Sequence, residues 1–310
     1  MTGKTRKIAL LGGDRRQLAA ARRLEECGNE VIVWGLPKHL AQSAKIIHAS
    51  DWESAVNDAD VIVLPLPVTH DGIRINCALL EQTVSPREIS ELRFTHIIDA
   101  IGTDKRIFGG RIPPACKTYA EEHGITMTDY SENELFQLRN AKPTAEGALE
   151  IALHELPITL SGTSAAVIGY GRIAHVLASL LSAVGVKVTV AARKASDLCC
   201  AELQGFQSLR IAFEKGISTL TKLDASCRVI FNTVPYWLFD QTVLSVLNPN
   251  TLIIDLASAP GGVDPQAAAN CGIRVIRAPG LPGKCAPDTA GEIIADTVLA
   301  LLTQEGGNEA

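Results

Sequence analysis

A short hydrophobic strand that ends in a glycine-rich turn and opens a helix narrows the possible folds more than any other feature of this chain. Ser164-Ala-Ala-Val-Ile168 runs into Gly169-Tyr170-Gly171-Arg172-Ile173-Ala174; helical spacing follows to about Ala183, and Lys187-Val-Thr-Val-Ala191 reads as the next strand. A GxGxxA turn alone is a weak signal. Set in a complete strand–turn–helix–strand unit, it has the context that a dinucleotide fingerprint requires. Gly169 permits the tight turn, Gly171 lets the backbone approach a pyrophosphate, and Ala174 lets the helix pack closely on the strand. The helix N-terminus carries free N–H groups and a positive dipole end, so Gly169 to Ile173, including Tyr170 and Arg172, are the expected phosphate-side contacts.

The end of the second strand selects the dinucleotide. An NAD site calls for Asp or Glu about 20 residues past the glycines, to bind the ribose 2′-hydroxyl. This chain has Ala191-Ala192-Arg193-Lys194 there. No carboxylate repels a 2′-phosphate, and an arginine can hold one bidentately. The expected cofactor is NADP(H), bound through Arg193 with Lys194 assisting; the rival reading is a pair of solvated surface cations. Two later strand ends, Asn232-Thr233-Val234-Pro235 and Asp255-Leu256-Ala257-Ser258, reach the carboxyl edge where ligands of parallel sheets bind. Thr233, Val234 and Pro235 are expected to wall the cofactor, and Leu256, Ala257 and Ser258 to lie near its nicotinamide.

The first half alternates in the same way. Lys7–Leu11, Glu30–Trp34, Asp60–Leu64, His96–Ala100 and Ile125–Thr128 read as strands, with helical spacing between several of them. The expected fold is α/β: two Rossmann-like parallel-sheet domains around a cleft, the second binding the dinucleotide. A capping-box pattern, Ser131 to Glu134, starts a helix that should break near Pro143 and restart through Thr144–Gly147. The domains are therefore drawn at about 1–142, for substrate and catalysis, and 143–310, for the cofactor. The final helix, about 288–303, either closes the second domain or packs back on the first. With 310 residues, 46% of them hydrophobic, the chain can bury two such cores.

Composition excludes several functions. The net charge is −5 and no half collects cations, which argues against nucleic acid. No apolar run is long enough for a membrane helix, and the run after the basic N-terminus is too short for a signal peptide. The eight cysteines contain no CxxC; they read as reduced cytosolic thiols, with Cys199-Cys200 the one close pair and no metal site expected. In the first half, Gly12-Gly13-Asp14-Arg15-Arg16-Gln17 lacks GxGxxG spacing, and its arginines at a helix start suit a carboxylate-bearing small molecule or simply a solvated face. His70 follows the Leu64–Val68 strand end and is a candidate proton-transfer group.

Taken together these residues resemble the family of dipicolinate synthase A subunits of spore-forming bacteria. The resemblance rests on Lys7–Leu18, Pro143-Thr-Ala-Glu-Gly147, Val167–Arg172, Val190–Arg193, Asn232–Pro235, Leu252–Ser258 with Pro260-Gly-Gly262, and above all the Pro/Gly-rich Ala278–Gly291. More distantly, the second half is similar to the cofactor domains of alanine and 2-hydroxyacid dehydrogenases.

The resemblance implies an oxidoreductase that takes a hydride from dihydrodipicolinate, a branch of the lysine pathway, to NADP⁺ and releases dipicolinate during sporulation. It also implies a partner, a flavodoxin-like B subunit. The implied location is the mother-cell cytoplasm, and homo-oligomerisation stays open. The substrate is then expected among Gly13–Gln17, Asn133–Glu146 and Gly280–Lys284. Arg15, Arg16 and Lys284 would pair its carboxylates, with Gln17, Asn133, Thr144 and Pro282 around it. Glu146 would take the ring proton, unless its carboxylate merely favours a helix start. Another NADP-dependent dehydrogenase of a carboxylated substrate, or a non-catalytic NADPH-sensing subunit, would keep the same cofactor residues.

Overall fold

The computed structural model describes residues 5–37, 45–79, 92–214 and 217–306. Unbroken Val/Ile/Leu runs form the central strands, as expected of strands covered on both faces. The chain divides into two compact units, residues 1–140 with 286–310, and residues 141–285.

In the first unit the order is β1 (Lys7–Leu11), α1 (Arg15–Glu26), β2 (Glu30–Trp34), β3 (Ile47–His48), α2 (Trp52–Asn57) and β4 (Val61–Val63). Then come α3 (Phe94–Ala100), β5 (Arg106–Gly109), α4 (Pro114–Glu122) and β6 (Met127–Asp129). The six strands pair in parallel in the order β3-β2-β1-β4-β5-β6. This is the doubly wound 3-2-1-4-5-6 arrangement, which places a switch point at the carboxyl ends of β1 and β4. Helix α5 (Glu134–Glu155) follows, and the unit boundary falls within it.

The second unit repeats the plan. It contains β7 (Ser164–Ile168), α6 (Arg172–Ala183), β8 (Lys187–Ala192), α7 (Ala195–Leu203), β9 (Gln207–Arg210) and a small antiparallel pair, β10 (Phe213–Glu214) and β11 (Ile217–Ser218). It continues through β12 (Cys227–Asn232), α8 (Gln241–Leu244), β13 (Leu252–Asp255), α9 (Pro265–Cys271), β14 (Arg274–Arg277) and α10 (Leu281–Cys285). Its parallel order, β14-β13-β12-β7-β8-β9, is again 3-2-1-4-5-6 counted from β9. Both sheets are thus parallel and helix-covered, the α/β class expected.

The last helix, α11 (Pro287–Gly306), belongs to the first unit. Ile293, Ile294, Val298 and Leu302 bury against Leu18, Ala20, Ala21 and Leu24 of α1 and complete one face of the first core. The second unit therefore ends at 285 rather than 310, because the apolar stripe of α11 has its partner on α1. The other face is formed by Phe94, Ile97, Ile98, Ile107, Cys116 and Met127 among others.

Three local expectations are corrected. Residues 96–100 are helix rather than strand. Phe94, Ile97 and Ile98 are buried at helical spacing, and the strand next to β4 is Arg106–Gly109 instead. A run this short is ambiguous between the two periods. Helix α5 does not break at Pro143. Proline removes one ladder bond, but Phe136 and Ala141 on one side and Ala145, Ala148 and Ala152 on the other are buried, so packing holds the helix through it. Asn133, not Ser131, caps α5: its Oδ1 accepts from Phe136 N at 3.1 Å.

Candidate functional site

The turn between β7 and α6 has the geometry that a dinucleotide pyrophosphate needs. Gly169 has φ +93°, and a Cβ there would sit 2.5 Å from Thr233 Oγ1 and 3.0 Å from Val234 Cγ2. The turn is that close to the end of β12 because Thr233 N and Oγ1 both donate to Ile168 O, at 3.0 and 2.8 Å. Gly171 is the contrary case. It is the N-cap of α6 with no side-chain cap bond, and a Cβ there would meet nothing within 4 Å. One glycine is demanded by the protein's own packing. The other leaves open space in front of a helix N-terminus, which a phosphate can fill. Ala174 is fully buried beneath the turn, and Ile173 is half-buried.

Tyr170 is turned inward. Its ring lies 3.8 Å from that of His175, and its buried hydroxyl has no hydrogen-bond partner among the described residues. Burial pushes the phenol pKa up. His175 is occupied in this packing. Beyond β8, Arg193 and Lys194 are exposed, with no ion pair among the described residues, and neither is preceded by a carboxylate on the strand. The residues present therefore fit a phosphorylated dinucleotide.

The ends of β12 and β13 are joined by a network that sequence reasoning did not find. Asp255 is fully buried and pairs with Arg277 Nη1 at 2.8 Å. Asn232 Nδ2 donates to Asp255 Oδ1 at 2.8 Å and to Val234 O at 3.0 Å, while Val234 N donates to Asn232 Oδ1 at 3.2 Å. Gly262 N donates to the other Asp255 oxygen at 3.1 Å, and Arg277 also reaches Pro260 O. One carboxylate thus fixes both expected cofactor-side loops, Thr233–Pro235 and Leu256–Ser258. Its partner arginine lies 22 residues on, at a spacing without a local signature. Leu256 and Ala257 are buried, Thr233 and Val234 half-buried, and Pro235 and Ser258 exposed.

Glu146 is exposed on the continuous α5, twelve residues after Glu134, and so is not a helix-start residue. Thr144 is buried. The segment expected as a loop at 280–284 is partly helical, since Leu281–Cys285 forms α10; Pro282 is buried there and Lys284 exposed. Helix α10 packs close to α5: a Cβ on Gly147 would sit 2.7 Å from Cys285 Sγ and 3.2 Å from Leu281 Cβ.

In the first unit, Gly12 N donates to Trp34 O and Gly13 N to Asn76 O. Asp14 caps α1 through Arg16 N at 2.9 Å. Arg16 is largely committed: it pairs with Asp14 at 2.7 Å and donates to Leu66 O. Arg15 is exposed and has no partner among the described residues. Gln17 is buried; its Nε2 donates to Val63 O at 3.2 Å, and its Oε1 has no partner among the described residues. Tyr130 hydroxyl donates to Leu64 O at 3.2 Å, and complete burial drives its pKa strongly up. His70 is exposed, beside an Asp71 turn whose carboxylate the Arg74 amide above all holds below its usual range. Among the described residues no group of three or more His, Cys, Asp or Glu is gathered as for a metal, and no helix is long and apolar enough to cross a membrane.

Comparison with known proteins gives a consistent result. Residues 7–131 match the family of the N-terminal domain of the dipicolinate synthase A subunit. The chain is 30% identical over 299 residues to the dipicolinate synthase A subunit of Bacillus subtilis (strain 168), covering 96% of each. Among solved structures, the dipicolinate synthase A subunit of Bacillus halodurans matches with TM-score 0.85 at 26% identity, over 96% of this chain and 97% of that one. The Bacillus subtilis A chain matches with TM-score 0.82 at 28% identity, over 99% of each.

Proposed function

This chain belongs to the family of dipicolinate synthase A subunits, and from that premise we propose that it oxidises dihydrodipicolinate to dipicolinate with NADP⁺. The observation that carries the cofactor half is the β7–α6 turn, with open space at Gly171 and an Arg193-Lys194 pair beyond β8 that has no ion pair among the described residues. Bound NADP⁺ supplies the hydride acceptor. The chain's part is to orient the diacid, to hold its two carboxylates and to accept the proton lost as the ring becomes aromatic.

In this reading Gly169–Ile173 bind the pyrophosphate, and Arg193 with Lys194 binds the 2′-phosphate. Thr233–Pro235 and Leu256–Ser258 border the nicotinamide, held by the Asp255 network. Of the cations expected at the substrate, Arg15 and Lys284 have no ion pair among the described residues, while Arg16 stiffens the turn that presents Arg15. Gln17 offers a buried acceptor that is unpartnered among the described residues. Thr144, Pro282 and Asn133 shape the surroundings, Asn133 as the cap of α5. Glu146 takes the proton, with His70 the alternative acceptor. A flavodoxin-like B subunit is the partner proposed, in the mother-cell cytoplasm of a sporulating bacterium.

The decisive experiment mixes the protein with NADP⁺ and freshly generated dihydrodipicolinate, with and without the B subunit, and follows NADPH absorbance. NADPH accumulation is expected; NADPH binding without turnover in either mixture would favour a sensing role and overturn the proposal. Glu146→Gln is expected to cut kcat by about 10²–10⁴ while NADPH binding persists. Arg193→Ala is expected to weaken NADPH by about 10- to 150-fold and NADH little, the size of one charge-assisted contact. Equal losses for both cofactors would remove Arg193 from the 2′-phosphate.

A further inference from the structure

Arg111 is the one non-glycine residue with positive φ among the described residues, at φ +52°. That conformation favours glycine. The backbone is held there firmly. Arg111 N donates to Asp129 Oδ1 at 3.2 Å and to Ser131 Oγ at 3.0 Å, and Ile112 N donates to Asp129 Oδ2 at 2.9 Å. Asp129 also receives Ser131 N at 2.8 Å and Ser131 Oγ at 2.6 Å. Two glycines, Gly109 and Gly110, precede Arg111, so a third would suit the turn. A long cation stands there instead, exposed and with its guanidinium unpaired among the described residues.

Its place is the carboxyl edge of the sheet, the edge at which open parallel sheets bind ligands. Arg111 leaves the carboxyl end of β5, which pairs with β4 and β6. The loop after β4 ties this end to the switch point. Gly110 N donates to Pro65 O at 3.1 Å and Val68 N to Gly110 O at 2.9 Å, while Arg16, at the start of α1, donates to Leu66 O. The turns after β1 and β5 are thus fastened to the same short segment, Leu64–Val68. Of the arginines on those two turns, Arg16 is spent on Asp14 and Leu66; Arg15 and Arg111 keep free guanidinia among the described residues. A diacid presents two carboxylates, and a guanidinium fork is the side chain that binds one bidentately.

We propose that Arg111 binds one substrate carboxylate at the carboxyl edge of the first sheet, with Arg15 as the companion cation, and so sets the preference for a diacid. This inference rests on the diacid substrate proposed above.

The test is calorimetric titration of the full chain with pyridine-2,6-dicarboxylate and, separately, with pyridine-2-carboxylate. Arg111→Gly removes the guanidinium while relieving the backbone, so it should fold at least as well as the parent. The parent is expected to prefer the diacid. In Arg111→Gly, diacid binding should weaken by about 10- to 150-fold, the range of one charge-assisted contact. Binding of the monoacid and of NADPH should stay within about threefold, since neither would lose such a contact. Arg111→Lys should fall between parent and glycine variant. Unchanged diacid affinity would overturn the inference, as would an equal loss for both acids or failure of the parent to bind the diacid. The reading of the reaction is decided separately, by turnover of dihydrodipicolinate in the parent: turnover with the same KM in Arg111→Gly would remove Arg111 and leave that reading standing.

Discussion

Gly169 and Gly171 stand in one turn yet have opposite surroundings, one packed and one open, and their variants separate them. Gly169→Ala places a Cβ against Thr233 and demands positive φ from a residue that resists it. The expected cost is about 1–3 kcal/mol of stability even without cofactor, readable as a lower Tm. Gly171→Val meets no protein atom at its Cβ. It should leave the Tm of the cofactor-free protein close to that of the parent and abolish NADPH binding in a titration. A Gly171→Val protein that binds NADPH normally would show that the pyrophosphate lies elsewhere. Such residues are legible in the sequence because the fingerprint is local: turn, approach and helix start lie within six positions. Asp255, Asn232 and Arg277 were not, since a carboxylate, an amide and a guanidinium from three strands meet only when the sheet forms. Nor was Arg111, whose signal is a backbone dihedral; the preceding Gly109-Gly110 was the trace available.

Between elements of the first unit, α1 and α11 approach closely at Gly291. A Cβ on Gly291 would overlap Arg16 O and lie 2.5 Å from Ala19 Cβ and 2.9 Å from Ala20 N. Backbone lies on one side, so the clash cannot be relieved by turning a side chain. Gly291→Ala is therefore expected to destabilise by about 1–3 kcal/mol, as overpacked sites do, and to disturb the Arg15–Arg16 turn at the start of α1. Chemical denaturation measures the first effect. A variant as stable as the parent would mean that the helices stand further apart. Most strands were readable from their apolar runs. Residues 94–100 escape that reading because a short apolar-rich run satisfies either period. Helix α5 outlasts its expected break because a proline is a local signal, while the packing that carries the helix past it is not.

Across the whole molecule, the two units share one plan yet differ in chain continuity: residues 141–285 form the second without interruption, whereas the first needs 286–310 to be complete. The alternation of strands and helices showed two α/β bodies. It did not show which body α11 covers, since an apolar stripe names its own face and not its partner's. Ile293, Ile294, Val298 and Leu302 are each at most 7% exposed on α11. Their burial contributes roughly 6–12 kcal/mol at about 1.5–3 kcal/mol per side chain, comparable to the whole stability of a domain. A chain stopped after Cys285 is expected to lose the first unit's cooperative unfolding and to bind a hydrophobic dye, while residues 141–285 keep theirs. Two intact transitions in that truncated protein would show that α11 is dispensable.

The same discontinuity dictates an order of events on the ribosome. Every residue of the second unit is synthesised before the first unit receives its closing helix. The second unit can therefore be finished while the opening 140 residues still wait, with the apolar face of α1 uncovered. The first unit is made first, yet its core is closed only once α11 has emerged, and an apolar face left uncovered for that interval is the kind of surface on which chaperones and aggregation act.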